Sequence, residues 1–389
     1  MERLYDKLKA YSESDFYAFH MPGHKRNKTL LGIELPYDLD ITEIDGFDDL
    51  HHADGILKEE QERAARVFGA EESHFLVNGS TAGILSAVMG CTHRGDKILV
   101  ARHCHKSIYH AIYMNGLVPR YVYPEFDISM HMNGEISKED VAKALAAEPD
   151  IKAVVIVSPN YDGVVSDVKG IAEVAHSYRI PLIVDEAHGP HFGFHPAFPG
   201  RANDLGADVV INSLHKTLPS LTQTAILHIN GKLANRRRIK KYLDMLQSSS
   251  PSYIFMASLD ACVDFVDGKC EEAFELYVER LQKFREELKP LQHLQILRTE
   301  HYDISKVVIS TANANITSPE LADRLRKEYH LEMEMTGGTY VLAMTTVADT
   351  QEGLDRLKSA LLEIDDQLEA KTAVSGSIEI SGELPRPVS

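Results

Sequence analysis

Three short segments of the chain carry the residue types best suited to chemistry. The run PLIVDEAHG ends a β-like stretch on Asp185, and ADVVINS then leads into Ser213-Leu214-His215-Lys216-Thr217, which places Lys216 31 residues after Asp185. Much earlier, HFLV runs into Asn78-Gly79-Ser80-Thr81 and then a helical pattern. A lysine desolvated at a strand end loses proton affinity and becomes a nucleophile able to form a Schiff base with a carbonyl. Small hydroxyl residues opening a helix can hold a phosphate through O–H and backbone N–H groups, although Ser and Thr also favour that position as plain caps. A carboxylate at a strand end can pair with a protonated ring nitrogen and keep it charged. In pyridoxal 5'-phosphate (PLP) that charge makes the ring an electron sink.

Each segment has another reading. Asp185 can be a buried structural acid, or it can join Glu186, His188, His191 and His195 as ligands of a transition metal. The metal reading covers only the middle segment, whereas PLP covers all three in order. ARHCHKSIYHA places His105 at another strand-to-helix transition, where a flat imidazole can stack on a pyridine ring or serve structure alone. The neighbouring Cys104 reads as packed. QSSSPSY supplies Ser248, Ser249 and Ser250 ahead of a proline, either as a helix-starting loop or as a phosphate contact across a subunit interface. Asp48 and Asp49 can meet a cationic substrate group or cap a helix.

The elements that must position these residues are legible as an alternation. HFLV, KILVA, PRYVYP, KAVVIVSP, PLIVDEA and ADVVINS are short apolar runs rich in β-branched residues. Helical patterns (STAGILSAVMG, KSIYHAIYMNG, SKEDVAKALAA and VKGIAEVAHSY) lie between them. This predicts an α/β fold with a mainly parallel sheet covered on both faces, and ligands bind such sheets at the carboxyl ends of the strands. Residues 1–50 read as a helix followed by a Pro/Gly-punctuated arm, and 51–289 as the large domain. A long helical region spans about 256–289. Residues 290–370 mix short strands and helices as a smaller α+β domain, and the polar 371–389 reads as a tail or linker.

The formal net charge of −17 argues against nucleic acid as a partner. The one dense basic run, RRRIKK at 236–241, reads as a solvated helix face. No apolar run is long enough to span a membrane, and the charged N-terminus lacks a secretory core. Cys91, Cys104, Cys262 and Cys270 form no CxxC pair, so zinc and thioredoxin motifs are unsupported and a cytoplasmic thiol set is expected.

The stretches FHMPGHK, DITEIDGFDDLHH, FLVNGST, RHCHKS, VDEAHG, SLHKTLP and QSSSPSYIFMASLD, spread over about residues 16–260, resemble the bacterial Orn/Lys/Arg decarboxylases. The similarity is to the shorter Gram-positive type. The resemblance implies the aspartate-aminotransferase-like fold of type I PLP enzymes, with a seven-stranded-type sheet. It implies PLP-dependent decarboxylation of arginine, lysine or ornithine, as in polyamine synthesis, by a homodimer or larger homo-oligomer. Lys216 then carries the cofactor, Asp185 pairs with its ring nitrogen, His188 lies beside its phenolic oxygen and His105 stacks on the ring; these four are the expected catalytic residues. Ser80, Thr81, Ser213 and His215 hold the phosphate, joined by a serine of the 248–250 run, assigned to Ser249, from the neighbouring subunit. Lys216 or His215 returns the proton. No metal is expected. Relatives carry a further C-terminal domain that helps to enclose the site, and the ending GELPRPVS resembles the linker leading into it. Strong cofactor binding with weak turnover is therefore expected of this chain.

Overall fold

The computed structural model of the chain describes residues 2–128 and 130–371. Among them, helix α1 (Leu4–Ser12) and an irregular arm lead to α2 (Ile56–Val67). There follow β1 (Glu72–Leu76), α3 (Gly79–Cys91), β2 (Lys97–Ala101), α4 (Lys106–Asn115), β3 (Val118–Val122) and a small hairpin, β4 (Phe126–Asp127) with β5 (Met132–Asn133). Next come α5 (Lys138–Ala147), β6 (Ile151–Val157), α6 (Val168–Ser177), β7 (Leu182–Asp185), β8 (Val209–Asn212), α7 (Leu214–Thr217) and β9 (Ala225–Ile229). Three helices follow, α8 (Arg236–Leu246), α9 (Tyr253–Val266) and α10 (Glu271–Glu287). The last part holds β10 (Gln295–Leu297), β11 (Lys306–Ser310), α11 (Ser318–Tyr329), β12 (Met335–Thr336), β13 (Tyr340–Met344) and α12 (Gln351–Asp365).

The large sheet has seven strands in the order β1-β9-β8-β7-β6-β2-β3. Five neighbouring strands, β8 to β3, pair in parallel. Strand β9 runs antiparallel to both β8 and β1, so β1 shares the direction of the other five. The sheet is mixed, with one reversed strand. Strands β7, β8 and β9 are buried throughout, as expected where helices cover both faces. Asp167 caps α6 by accepting from the Gly170 N–H, and Ser137 caps α5 by accepting from the Asp140 N–H.

Helix α3 runs under α8. A Cβ on Gly90 would lie 2.5 Å from Ile239 Cγ1 and 2.9 Å from the Ile239 backbone, so only glycine permits this approach. The basic run begins α8, and three of its charged groups are engaged locally. Arg236 pairs with Glu71 and Glu72, Lys240 with Glu72, and Arg238 bonds the Met89 and Thr92 carbonyls.

The four-stranded sheet, β10-β11-β13-β12, is wholly antiparallel. It joins the large sheet's loops through the Val164–Tyr302 bridge and the Asp303 N–H to Gly163 carbonyl bond of 2.8 Å.

Two details differ from the sequence reading, and a third decides between alternatives it left open. The helical region expected over 256–289 is two helices, because the chain breaks between Val266 and Glu271 with Gly268 at a left-handed φ of 77°. Strand β9 had no counterpart in the predicted alternation. Asp48 is a cap: it accepts from the N–H groups of Asp49, Asp54, Gly55 and Leu57 and secures the start of α2. No helix among the described residues is long and apolar enough to cross a membrane. The expected tail from 372 onward lies outside the described residues.

Candidate active site

Because β1, β2, β7 and β8 share one direction, their carboxyl ends open on one edge of the sheet. Asp185 is the last residue of β7, and Ser213 to Thr217 follow β8 directly. Asn78 to Thr81 follow β1, and His105 caps α4 just after β2. Segments far apart in sequence therefore meet at one rim.

At its centre, Lys216 Nζ lies 2.9 Å from His188 Nε2. Burial lowers the lysine's proton affinity, the Asp185 carboxylate opposes that shift, and the Lys306 ammonium adds to it. His188 is held neutral, its pKa pushed well below the usual imidazole value by burial and then by Lys216. Its Nε2 therefore accepts from the lysine, and its buried Nδ1 has no partner among the described residues. The ring of Tyr161 covers His188 at 4.6 Å between centroids, and the Tyr161 hydroxyl donates to Glu334. Asp185 is buried, with one oxygen accepting from the Ala187 N–H at 3.1 Å. Burial pushes its carboxyl up to about 6 despite the opposing pull of Lys216.

Several hydroxyl groups at the same rim make no hydrogen bond among the described residues. Ser213 is fully buried and its Oγ has no partner among the described residues. The side chains of Ser80 and Thr81 make no hydrogen bond among the described residues. They open α3, whose N-cap Asn78 offers no side-chain cap and instead accepts from the Ser248 N–H at 3.1 Å. Gly79, with φ at 72°, turns the chain from β1 into this helix. His215 bonds the Thr224 carbonyl through Nδ1 at 2.7 Å, which leaves Nε2 free, and burial lowers its pKa. His105 is exposed; its Nδ1 accepts from Ser107 Oγ at 2.8 Å, and burial of part of the ring and the nearby Lys216 charge lower its pKa. Ser248, Ser249 and Ser250 are exposed beside Asn78, and Ser249 makes no side-chain bond among the described residues.

The alternative metal ligands scatter to separate partners. Glu186 bonds Asn212 and the Ala202 N–H, His195 bonds Glu275, and His191 bonds Thr217 and Asp303. No group of three or more potential ligands gathers among the described residues. Tyr161, Asp303, Lys306 and Glu334 went unremarked in the sequence. Their one trace was a lysine opening the apolar run KVVIS, where a buried strand rarely tolerates a charge.

The fold is that of the aminotransferase-like α/β proteins, built on a seven-stranded sheet. The alanine–glyoxylate aminotransferase of Nostoc sp. superposes with a TM-score of 0.64 at 15% identity, covering 79% of this chain and 86% of that one. The constitutive lysine decarboxylase of Escherichia coli gives a TM-score of 0.81 at 22% identity, covering 93% of this chain. This chain spans 60% of the length of that structure. Residues 3–313 match the family described as Orn/Lys/Arg decarboxylase, major domain. The arginine decarboxylase of Bacillus subtilis is 33% identical over 392 aligned positions, covering 97% of this chain and 80% of the relative. The chain belongs to the Orn/Lys/Arg decarboxylase family.

Proposed function

We propose that the chain uses PLP to decarboxylate a basic amino acid, namely arginine, lysine or ornithine, to the corresponding amine and CO2. The observation that carries this reading is the meeting of Lys216, Asp185 and the unpartnered Ser213 hydroxyl at one rim of the sheet. The residues fit the cofactor. Lys216 would hold its aldehyde carbon, Asp185 its protonated ring nitrogen, and Ser80, Thr81, Ser213 and His215 its phosphate. His105 would cover the ring and His188 would stand beside its phenolic oxygen, with Ser249 of a second copy completing the phosphate contacts. When bound, the cofactor supplies a sink for the electron pair left on the α-carbon as CO2 departs.

The chain's own groups do the rest. Burial lowers the proton affinity of the Lys216 amine and so favours its nucleophilic form, and His188 Nε2 orients it through the 2.9 Å contact. The Asp185 charge, costly when buried alone, is relieved by a cationic partner. Lys216 Nζ or His215 Nε2 then returns a proton to the α-carbon. Residues 1–50, 51–289 and 290–370 act as arm, cofactor domain and small domain of a cytoplasmic homo-oligomer. The test is turnover of arginine, lysine and ornithine by the PLP-loaded chain, with products identified. CO2 with agmatine, cadaverine or putrescine is expected; a keto acid or aldehyde would overturn the reading in favour of transamination or lysis.

A further inference from the structure

A second polar cluster lies behind the site, on the four-stranded sheet. Lys306, the first residue of β11, is fully buried, as is Asp303 in the preceding turn. Lys306 Nζ donates to Asp303 Oδ2 at 3.0 Å, to Ser305 Oγ at 3.2 Å and, at 3.5 Å, to the backbone carbonyl of His188. Asp303 also accepts from the Ser305 N–H at 2.9 Å and from Ser305 Oγ at 2.7 Å. Its Oδ1 lies 3.1 Å from His191 Nε2, and His191 Nδ1 lies 3.0 Å from Thr217 Oγ1. An ionised carboxylate accepts only, so His191 carries its proton on Nε2. Its Nδ1 then accepts the Thr217 hydroxyl hydrogen. Burial lowers the His191 pKa, which keeps the ring in this neutral form.

One carboxylate therefore grips both sides of the reactive lysine. Through Lys306 it reaches the main chain of His188, whose ring touches Lys216. Through His191 it reaches Thr217, the next residue after Lys216. A one-ångström misplacement of a reacting group can cost a hundredfold in rate, so a rigid grip on these two points bears on the chemistry.

We propose that Asp303, with Lys306 and His191, is a positioning unit through which the four-stranded sheet sets the geometry of Lys216 and His188. The proposal rests on the reading of Lys216 as the reactive lysine. Asp303 touches no reacting atom on this view; it acts through Thr217 and the His188 carbonyl.

The decisive pair is at Thr217. Thr217→Ser keeps the hydroxyl and is expected to retain near wild-type behaviour. Thr217→Val keeps the shape and loses the bond. It is expected to fold, to bind PLP, and to lose roughly tenfold in kcat with KM little changed, with a displaced pH midpoint of the lysine-bound cofactor's visible absorbance. A second variant, Asp303→Asn with Lys306→Met, removes both buried charges together. In the full chain prepared without cofactor, its Lys216 should react with an amine-directed acylating reagent with a pH midpoint above that of wild type. The groups facing Lys216 are His188, Asp185, His105, His215, Glu334 and Lys306, and only the last is altered. Valine and serine variants alike in turnover and absorbance midpoint, or an unmoved Lys216 labelling midpoint in the double variant, would overturn the proposal. The absorbance and labelling measurements need no turnover, so they report on the positioning unit even if the amino-acid decarboxylase reading fails.

Discussion

Two buried polar clusters sit back to back in this molecule and differ in completeness. Around Lys306, each donor and acceptor is used: the ammonium has three acceptors and Asp303 accepts four bonds. Around Lys216, Ser213 Oγ and His188 Nδ1 are buried without partners among the described residues, and Asp185 uses one oxygen for a single backbone bond. An unpaired buried polar group costs about 1–3 kcal/mol, so native interiors rarely keep one without a reason. The complete cluster satisfies its own charges, and the incomplete one is where the proposed cofactor contacts fall.

The largest effect should come from the lysine itself. Lys216→Ala should abolish the borohydride-reducible visible absorbance of the PLP-loaded chain and lower turnover by roughly a thousandfold or more. Retention of a reducible linkage at Lys306 or any other lysine would erase the distinction between the clusters. Next comes the complete cluster. Lys306→Ala strands the Asp303 charge in the interior and should destabilise the fold by about 3–5 kcal/mol, read as a fall in the midpoint of urea unfolding. A midpoint within experimental error of wild type would mean that Asp303 is not the tightly paired ion the geometry describes.

Asp185→Asn should fold normally yet lose roughly a hundredfold in turnover, because the amide cannot keep a ring nitrogen charged. The pH dependence has a definite sign. Burial raises the Asp185 carboxyl to about 6, so in cofactor-free protein its contribution to stability is full below the ordinary carboxylate value and is lost as pH rises through about 6. A cationic ring nitrogen favours the ionised form, so PLP affinity should rise with pH through the same range. The Asn variant should lack that step in a fluorescence titration. The smallest effect belongs to an orphan hydroxyl. Ser213→Ala removes no bond from the cofactor-free chain and relieves a buried unpaired hydroxyl, so its unfolding midpoint should hold or rise, while PLP binding weakens by about 1 kcal/mol, roughly fivefold. Destabilisation without loss of affinity would show that the hydroxyl serves the fold.

Much of this was legible before any coordinates. The alternation of apolar runs with helical patterns marked six strands of the large sheet, since burial on both faces demands uninterrupted Val, Ile and Leu. The order Ser80-Thr81, Asp185 and Lys216 named candidates that the fold brings to one rim, because parallel strands end on a shared edge. Strand β9 escaped, although AILHI is wholly buried, and its reversed direction depends on pairing partners that no local pattern encodes. The break at Gly268 escaped for a similar reason: a single glycine inside a long helical pattern does not say whether the helix continues.

The sequence by itself determined the strand–helix alternation, the family motifs and the candidate lysine, carboxylate and hydroxyls, because these follow from local periodicity and residue chemistry. Only the tertiary structure decided which side chains are paired and which are left waiting. His191 looked as eligible a ligand as His188, and the fold made the first a link between Thr217 and Asp303 and set the second against Lys216. Asp303 and Lys306 lie more than 80 positions beyond Lys216 in the chain, in segments without a motif. Burial and hydrogen-bond completeness are properties of packing between distant segments, so they arise when the two sheets come together.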